Sequence, residues 1–146
     1  MIAVIQTVKD ASCSVENRLI SEMSSGLLVY FCVEKGDKKD LVKPFIEKIL
    51  RLRIYRGEDD NKTNYSIMDR TRSVMIISQF TLAANLERGN RPSFDNAEKS
   101  EIAKELYFDA IRVLEANNVS VSCGAFGKHM SIKYTNDGPE TFILKK

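Results

Sequence analysis

The stretch that most constrains the fold covers residues 74–82, with the sequence VMIISQFTL. It begins as an unbroken apolar run, which is typical of a strand covered on both faces. It then turns polar at Ser78 and Gln79, and no Gly or Pro ends it. A buried strand that ends in this way places hydroxyl, amide and backbone N–H groups at the rim of a sheet, where α/β folds bind their ligands. Periodicity alone favours the alternative, an ordinary core strand whose end is capped by Ser and Thr.

Size and composition indicate one globular domain that covers residues 1–146. The net charge is only +2, so any surface that binds RNA has to come from local clusters of cations. No apolar run reaches the ~18–20 residues that a membrane helix needs. The N-terminus lacks a basic segment followed by a cleavable apolar segment, so we predict no secretory signal and a cytoplasmic location.

The cysteines argue against a metal site. Cys13, Cys32 and Cys123 are widely spaced and form no Cys-x-x-Cys motif, which makes a disulfide scaffold or a structural zinc site improbable. We therefore predict no structural zinc site and no disulfide. Cys123 lies six residues before His129, the one histidine of the chain. A catalytic Cys–His pair is an alternative, but this separation in sequence does not establish contact.

Strands outnumber helices in the predicted secondary structure. Apolar or alternating runs predict strands over residues 2–9, 11–15, 19–22, 27–33, 74–80, 119–123, 130–136 and 140–144. Between them, residues 57–62 and 83–94 are predicted as loops, because charged residues dominate the first and Gly, Asn and Pro interrupt the second.

Two helices are predicted from apolar residues at helical spacing. The first starts at the N-cap Asp37 and runs to about Arg53, with a kink at Pro44 or a restart near Val42. Its apolar face consists of Leu41, Phe45, Ile49 and Leu52. The second covers residues 97–117, with a buried stripe formed by Ile102, Leu106, Ala110, Val113 and Leu114. The element order predicts an α/β fold, a mixed, curled or double-layered β-sheet with two main helices on one face, in β/β/α layers.

Four motifs in sequence order resemble a known family. They are Ser-Gln-Phe-Thr-Leu at 78–82, Arg-Gly-x-Arg-Pro-x-Phe at 88–94, Phe-Gly-x-x-Met at 126–130 and Asn-Asp-Gly-Pro-x-Thr at 136–141. Together with the amino-terminal strand, residues 26–29 and residues 52–54, they resemble the D-aminoacyl-tRNA deacylase family over essentially the whole chain. Each motif is weak by itself, but the four in this order are highly specific.

The resemblance implies both the activity and the fold of that family. The implied reaction is hydrolysis of the ester that joins a D-amino acid, or glycine mischarged on tRNA-Ala, to the 3′-terminal adenosine of tRNA. The implied enzyme is a homodimer without metal or cofactor, in which the 2′-hydroxyl of that adenosine assists the reaction. We identify backbone N–H groups at Phe80 and Thr81 as candidates to stabilise the tetrahedral oxyanion, since they lie at a strand end.

The resemblance also implies roles for particular residues. Ser78, Gln79, Phe80 and Thr81 would form the catalytic pocket. Gly138-Pro139, with a cis peptide bond, would be a chirality gate that reaches into the pocket of the other subunit. Further residues would hold the substrate: Phe126, Gly127 and Met130 at the terminal adenosine, and the cations Arg88 and Arg91 at the tRNA.

One departure and three alternatives remain open. Glu140 stands where the family usually has valine, and we predict that it is a solvated strand residue rather than a contact for the substrate's ammonium group. The first alternative function is another esterase or thioesterase that uses Cys123 or Ser78 as a nucleophile. The second is a non-enzymatic RNA-binding dimer, and the third is a related deacylase that prefers a different mischarged tRNA.

Overall fold

The computed structural model describes residues 1–56, 63–70, 73–87 and 89–146. Within these residues it has eight strands and two α-helices. The strands are β1 (Ile2–Val15), β2 (Arg18–Met23), β3 (Gly26–Cys32), β4 (Tyr55–Arg56), β5 (Thr63–Tyr65), β6 (Ser73–Ser78), β7 (Ser120–Cys123) and β8 (Ser131–Lys145). The helices are α1 (Lys39–Leu50) and α2 (Ser100–Ala116), and single 3₁₀ turns cover Ile67–Asp69 and Phe80–Ala83.

The long strand β1 organises the sheet. Its first half pairs antiparallel with β3, its second half pairs with β2, and β8 runs antiparallel along almost its whole other edge. Beyond β3 the sheet continues with β6 and then β7, and both of these pairings are parallel. Parallel neighbours need long crossovers, and here α1 lies in the connection from β3 to β6 and α2 in that from β6 to β7.

The sheet curls until its two ends nearly meet. The Ser21 hydroxyl on β2 donates to the Cys123 carbonyl on β7 at 2.8 Å, and the Ser122 hydroxyl donates to the Glu22 carbonyl at 2.8 Å. These side-chain bonds connect strands from opposite ends of the sheet order β2-β1-β3-β6-β7. The sheet therefore forms two layers that face each other.

Alternating residues of the same strands serve two cores. The helix-side core contains Ala3, Ile5, Leu27, Val29, Phe31, Val74 and Ile76, packed with residues of both helices. The core inside the curl contains Val8, Ala11, Cys13, Leu28, Met75 and Ile77. Because residues 74–77 contribute to both, the unbroken apolar run of β6 is buried on its two faces. The predicted fold class, a curled sheet with both helices on one face, is confirmed.

Three predicted strand boundaries are wrong. The strands predicted over residues 2–9 and 11–15 are one strand, β1. The sequence predicts separate strands over residues 130–136 and 140–144, but β8 is one strand, because β1 pairs with it on both sides of Gly138-Pro139. The strand predicted over residues 74–80 ends at Ser78, where the chain enters the 3₁₀ turn Phe80–Ala83. The polar residues of this segment therefore leave the sheet directly after Ser78.

The first helix also differs from its prediction. It begins at Lys39 rather than after an Asp37 cap, and it ends at Leu50 rather than near Arg53. The Asp37 carboxylate instead accepts a hydrogen bond from the backbone N–H of Glu34 at 2.8 Å. The helix continues through Pro44 without a restart, since Val42 and Phe45 on either side are both buried in the same core. Neither α-helix in the described ranges is long and apolar enough to cross a membrane.

The buried stripe of α2 lies on a slightly different face from the predicted one. The helix starts at Ser100 rather than at residue 97, and its buried residues are Leu106, Tyr107, Ala110 and Leu114. Ile102, a member of the predicted stripe, is 43% exposed. Tyr107 is buried in the core, and its hydroxyl donates to the Ile76 carbonyl of β6 at 2.9 Å, which satisfies the polar end of the buried ring.

Candidate active site

A cleft of about 700 Å³ lies where three parallel strands end. The carboxyl ends of β3 and β6 form one wall, and the segment after β7 forms the opposite wall. The backbone N–H of Gln79 donates to the Phe31 carbonyl at 2.8 Å, so the end of β6 stays attached to β3 at this wall of the cleft. The carboxyl ends of parallel strands are where open α/β sheets bind ligands.

The cleft brings together predicted site residues that lie far apart in sequence. Ser78, Gln79 and Phe80 line it from one side, and Phe126, Gly127 and Met130 line it from the other. Two parts of the sequence, separated by the whole of α2, therefore meet at one concave surface. The assigned roles of these residues stay predictions.

Residues 79–81 form the start of the 3₁₀ turn at the mouth of the cleft. The Gln79 side-chain amide donates to the Thr81 hydroxyl at 2.5 Å, and Thr81 itself is not part of the cleft lining. The Phe80 ring is 58% exposed and packs edge-on against Phe94, with 5.1 Å between ring centroids. The first hydrogen bond of the turn is donated by Leu82 to the Gln79 carbonyl, so the N–H groups of Phe80 and Thr81 precede the bonded part of the turn.

The opposite wall depends on two glycines. Gly127 has φ of +73°, a left-handed conformation that Gly adopts without steric cost. A Cβ on Gly124 would lie 2.6 Å from the Met130 sulfur and 3.0 Å from the Ile77 side chain. The absence of a side chain at Gly124 therefore lets Met130 pack onto the end of β6.

Tyr107 is a lining residue that the sequence pattern did not reveal. Its ring lies 5.6 Å from the Phe126 ring and thus supports the wall that Phe126 forms. Burial raises the pKa of the Tyr107 hydroxyl, so this group remains a neutral donor. The one indication in the sequence that Tyr107 is buried was its position between Leu106 and Ala110, on the buried stripe of α2.

The titratable groups around the cleft do not form a conventional nucleophile–base pair among the described residues. Burial raises the pKa of the Cys32 thiol to about 11, which keeps it protonated at neutral pH. His129 lines the cleft but Cys123 does not, so the cleft does not present the two together. The carboxylate of Glu98 accepts bonds from the backbone N–H groups of Gly36 at 3.0 Å and Lys99 at 2.8 Å, which lower its pKa.

The described residues also contain no group of three or more His, Cys, Asp or Glu side chains that could hold a metal ion. The structure describes only one of the two arginines predicted to contact tRNA. Arg91 is exposed and does not line the cleft. Arg88 lies outside the described residues.

Gly138-Pro139 lies in an exposed part of β8, outside the cleft lining. The peptide bond is cis, which confirms that part of the prediction. Gln6 pairs with Thr141 and Val8 pairs with Asn136, so residues 137–140 lie opposite the single residue Thr7. Residues 137–139 are exposed, and they do not line the cleft of their own chain.

The prediction that Glu140 is solvated is wrong. Its side chain is only 8% exposed, and it accepts a hydrogen bond from Nε of Arg56 at 3.1 Å. Arg56 precedes Glu140 by 84 positions, so this pairing was not visible in the sequence.

The sequence profile of the family described as D-Tyr-tRNA(Tyr) deacylase matches residues 4–145. The chain belongs to this family. It is 42% identical to the D-aminoacyl-tRNA deacylase of Pelobacter propionicus, over all of both chains. It is 43% identical to the protein of the same name from Persephonella marina, over 99% of this chain and 97% of that one. The resemblance inferred from the four motifs is therefore confirmed, and with it the enzyme class, a hydrolase that acts on aminoacyl-tRNA.

Solved structures agree with this fold. A structure of the c-Myc DNA unwinding element binding protein superposes with a TM-score of 0.92 and is 31% identical, over 100% of this chain and 99% of that one. A probable eukaryotic D-amino acid tRNA deacylase superposes with a TM-score of 0.82 over 98% of both chains. At 14% identity this second likeness is one of fold alone.

Proposed function

We propose that this enzyme cleaves the ester between a D-amino acid, or glycine mischarged on tRNA-Ala, and the 3′-terminal adenosine of tRNA. The products are the free amino acid and tRNA. The observation that carries this proposal is the cleft in which residues 78–80 and residues 126–130 face each other, in a chain that belongs to the deacylase family. A cytoplasmic location stays a prediction.

Backbone N–H groups provide the proposed stabilisation of the transition state. Ester hydrolysis passes through a tetrahedral intermediate whose oxyanion needs hydrogen-bond donors. The N–H groups of Phe80 and Thr81 precede the first hydrogen bond of the 3₁₀ turn at the cleft mouth, so they are suitable donors. They require no ionised side chain, and the turn holds them in place before the substrate arrives.

The substrate itself provides the proposed assisting hydroxyl. The Thr81 hydroxyl is engaged with the Gln79 amide, and a threonine hydroxyl without a base is a poor nucleophile. The 2′-hydroxyl of the terminal adenosine is adjacent to the 3′-ester and moves with it. The protein then contributes by fixing the ester against the donors, which is an effect of proximity and orientation. Phe126, Gly127 and Met130 would hold the adenosine in that position.

A second copy of the chain provides the proposed gate. Gly138-Pro139 is exposed and absent from the cleft of its own chain, as expected for a segment that acts on another subunit. In a symmetric dimer each gate would enter the other cleft, so that both sites are completed in the same way. Backbone carbonyls of the gate would hold the ammonium group of the substrate and leave no room for an L side chain, so chirality is read by exclusion.

The tRNA would be held by local cations rather than by the net charge. Lys128 lies on the cleft wall and Arg91 is exposed, and Arg88 precedes Arg91 by three positions. Phosphate contacts of this kind position the nucleic acid without reading its sequence. Which tRNA is used would then depend mainly on the attached amino acid.

A parallel assay of three substrates tests the proposed reaction. D-Tyr-tRNA and Gly-tRNA should release their amino acids, and L-Tyr-tRNA should stay intact at the same enzyme concentration. Thin-layer or gel separation of charged and uncharged tRNA gives the three rates directly. Equal rates on D-Tyr-tRNA and L-Tyr-tRNA would refute chiral selection, and tight tRNA binding without any release would favour the non-enzymatic RNA-binding alternative.

Replacement of Thr81 by Ala should leave most of the activity. The substitution removes the hydroxyl that Gln79 contacts but keeps the N–H group proposed to stabilise the oxyanion. We expect kcat to fall less than about tenfold, whereas removal of a true nucleophile costs several orders of magnitude. Single-turnover kinetics on D-Tyr-tRNA measure the effect, with Thr81→Ser as the control. A trapped covalent aminoacyl–Thr81 species would contradict the mechanism.

A further inference from the structure

Two buried polar side chains hold the two ends of the gate segment. Thr7, which lies opposite residues 137–140, is 3% exposed, and its hydroxyl donates to the Asp137 carbonyl at 2.7 Å. Glu140, directly after Pro139, is 8% exposed and pairs with Arg56 at 3.1 Å. Buried polar groups are costly unless they are bonded, so their position on either side of one exposed segment indicates a specific use.

The contact at Glu140 differs from that at Thr7 because it joins the gate to another part of the chain. Arg56 belongs to β4, which pairs with β5 in a small separate sheet. The carbonyl of Arg56 accepts a hydrogen bond from the guanidinium of Arg70 at 2.7 Å. Backbone pairing and the bond from Arg70 therefore hold the backbone of Arg56 in place independently of its contact with Glu140.

The burial of Glu140 decides between two roles for its carboxylate. A carboxylate that bound the substrate's ammonium group would need access to a cleft, but this one is enclosed and bonded to a guanidinium. The Glu140 side chain is 8% exposed and that of Arg56 is 45% exposed, so removal of Arg56 leaves a buried carboxylate without this bond, which disturbs the backbone around it. The pair therefore suits a structural constraint on the neighbouring backbone rather than a direct contact with substrate.

We propose that the Glu140–Arg56 ion pair positions Gly138-Pro139 and thereby sets the D-over-L selectivity of the enzyme. Glu140 and Arg56 are positioning residues, and neither touches the substrate. The pair holds the carboxyl end of the gate against β4, while the Thr7 hydroxyl holds the amino end. This inference rests on the proposed function, because it presupposes that Gly138-Pro139 is the gate.

The test combines single and double variants. Glu140→Ala, Arg56→Ala and the double variant are compared with wild type for kcat/KM on D-Tyr-tRNA and on L-Tyr-tRNA, and for the thermal midpoint. We expect each single variant to lower the D-to-L ratio by about tenfold or more, and the double variant to be no worse than either, because coupled residues are non-additive. Glu140→Gln keeps the shape of the side chain and should lose less selectivity than Glu140→Ala.

Lys9→Ala is the matched control. Lys9 pairs with Asp137 at 3.7 Å beside the same segment, but both side chains are well exposed. Exposed ion pairs contribute little, so this variant should keep the wild-type ratio. If Glu140→Ala does not fold, the D-to-L ratio of Glu140→Gln is compared with that of Lys9→Ala, and a lower ratio for Glu140→Gln supports the positioning role of the pair.

The possible results separate the inference from the function on which it rests. A wild-type enzyme without selective hydrolysis of D-Tyr-tRNA overturns the proposed function. A selective wild type whose Glu140 and Arg56 variants keep the full D-to-L ratio overturns the inference alone. The inference also fails if these variants lose thermal stability and lose activity on both substrates in equal proportion, since the pair would then have a purely structural role.

Discussion

We expect a heterodimer of two variants to keep about half of the wild-type activity when one copy has a blocked cleft and the other copy has an altered gate. The proposed symmetric dimer has two equivalent sites, and only one of them would be lost. Each parent homodimer should lose more than about 99% of the activity, because every one of its sites lacks either a cleft or a gate. In the proposed arrangement, the intact cleft of one copy would receive the intact gate of the other copy. One of the two sites of the heterodimer should therefore work.

Ser78→Phe and Gly138→Leu suit this experiment. Ser78 lines the cleft at the end of β6, so a bulky ring there fills the space for substrate. Gly138 is exposed, and an added Cβ would meet only the flexible end of the Asn136 side chain, at 3.0 Å. The folded chain therefore accommodates the new side chain, while the partner's cleft receives an obstruction.

Two affinity tags on the two variants allow the heterodimer to be isolated by successive purifications. Hydrolysis of D-Tyr-tRNA is then measured at equal concentrations of wild type, both parents and the heterodimer. A heterodimer carrying both substitutions on one copy and none on the other is the control. Its one wild-type cleft faces an altered gate, so it should be inactive. The reverse result, an active control and an inactive test heterodimer, would show that each gate serves its own chain.

A substrate that ends in 2′-deoxyadenosine should be cleaved far more slowly than the natural one. If the 2′-hydroxyl assists the attack on the ester, its removal should cost about 10²–10⁴-fold in rate, the usual contribution of a positioned proton-transfer group. The adenine and the ester stay unchanged, so the contacts proposed for Phe126 and Met130 remain in place. We therefore expect a fall in kcat with a much smaller change in KM.

The measurement is a single-turnover rate on D-Tyr-tRNA with and without the terminal 2′-hydroxyl. Binding of the two uncharged tRNAs, measured separately, controls for a simple loss of affinity. Equal rates on the two substrates would refute the substrate-assisted mechanism and favour a nucleophile supplied by the protein. In that case the Thr81→Ala variant identifies or excludes the nearest hydroxyl of the turn.

The part of the site that follows from local sequence was predictable. An unbroken apolar run must be covered on both faces, so the apolar pattern by itself assigns residues 74–77 to a buried strand. The polar residues that follow it then had to lie at the end of that strand. The order of the four motifs was sufficient to identify the family, which the match to residues 4–145 confirms.

Boundaries that depend on partners were not predictable. The predicted first helix extends beyond Leu50 because residues 51–53 continue a plausible helical pattern, whereas the observed helix ends at Leu50 with Arg51 as its C-cap. The two closing strands are one, because β1 pairs with β8 on both sides of Gly138-Pro139. Asp37 has the residue type of a helix cap, yet its carboxylate accepts the backbone N–H of Glu34. In each case the local sequence pattern was compatible with both the predicted and the observed structure.

The sequence by itself determined the family and the buried strand, because both depend on local pattern or motif order. Of the residues that the motifs placed in the pocket, six line the cleft, namely Ser78, Gln79, Phe80, Phe126, Gly127 and Met130, and Thr81 does not. Only the tertiary structure decided the environment of Glu140. Its partner Arg56 is distant in sequence, and nothing local to either residue distinguishes a solvated carboxylate from a buried, paired one. Tyr107 reached the cleft for the same reason, since the curl of the sheet and the packing of α2 set which face of that helix meets Phe126.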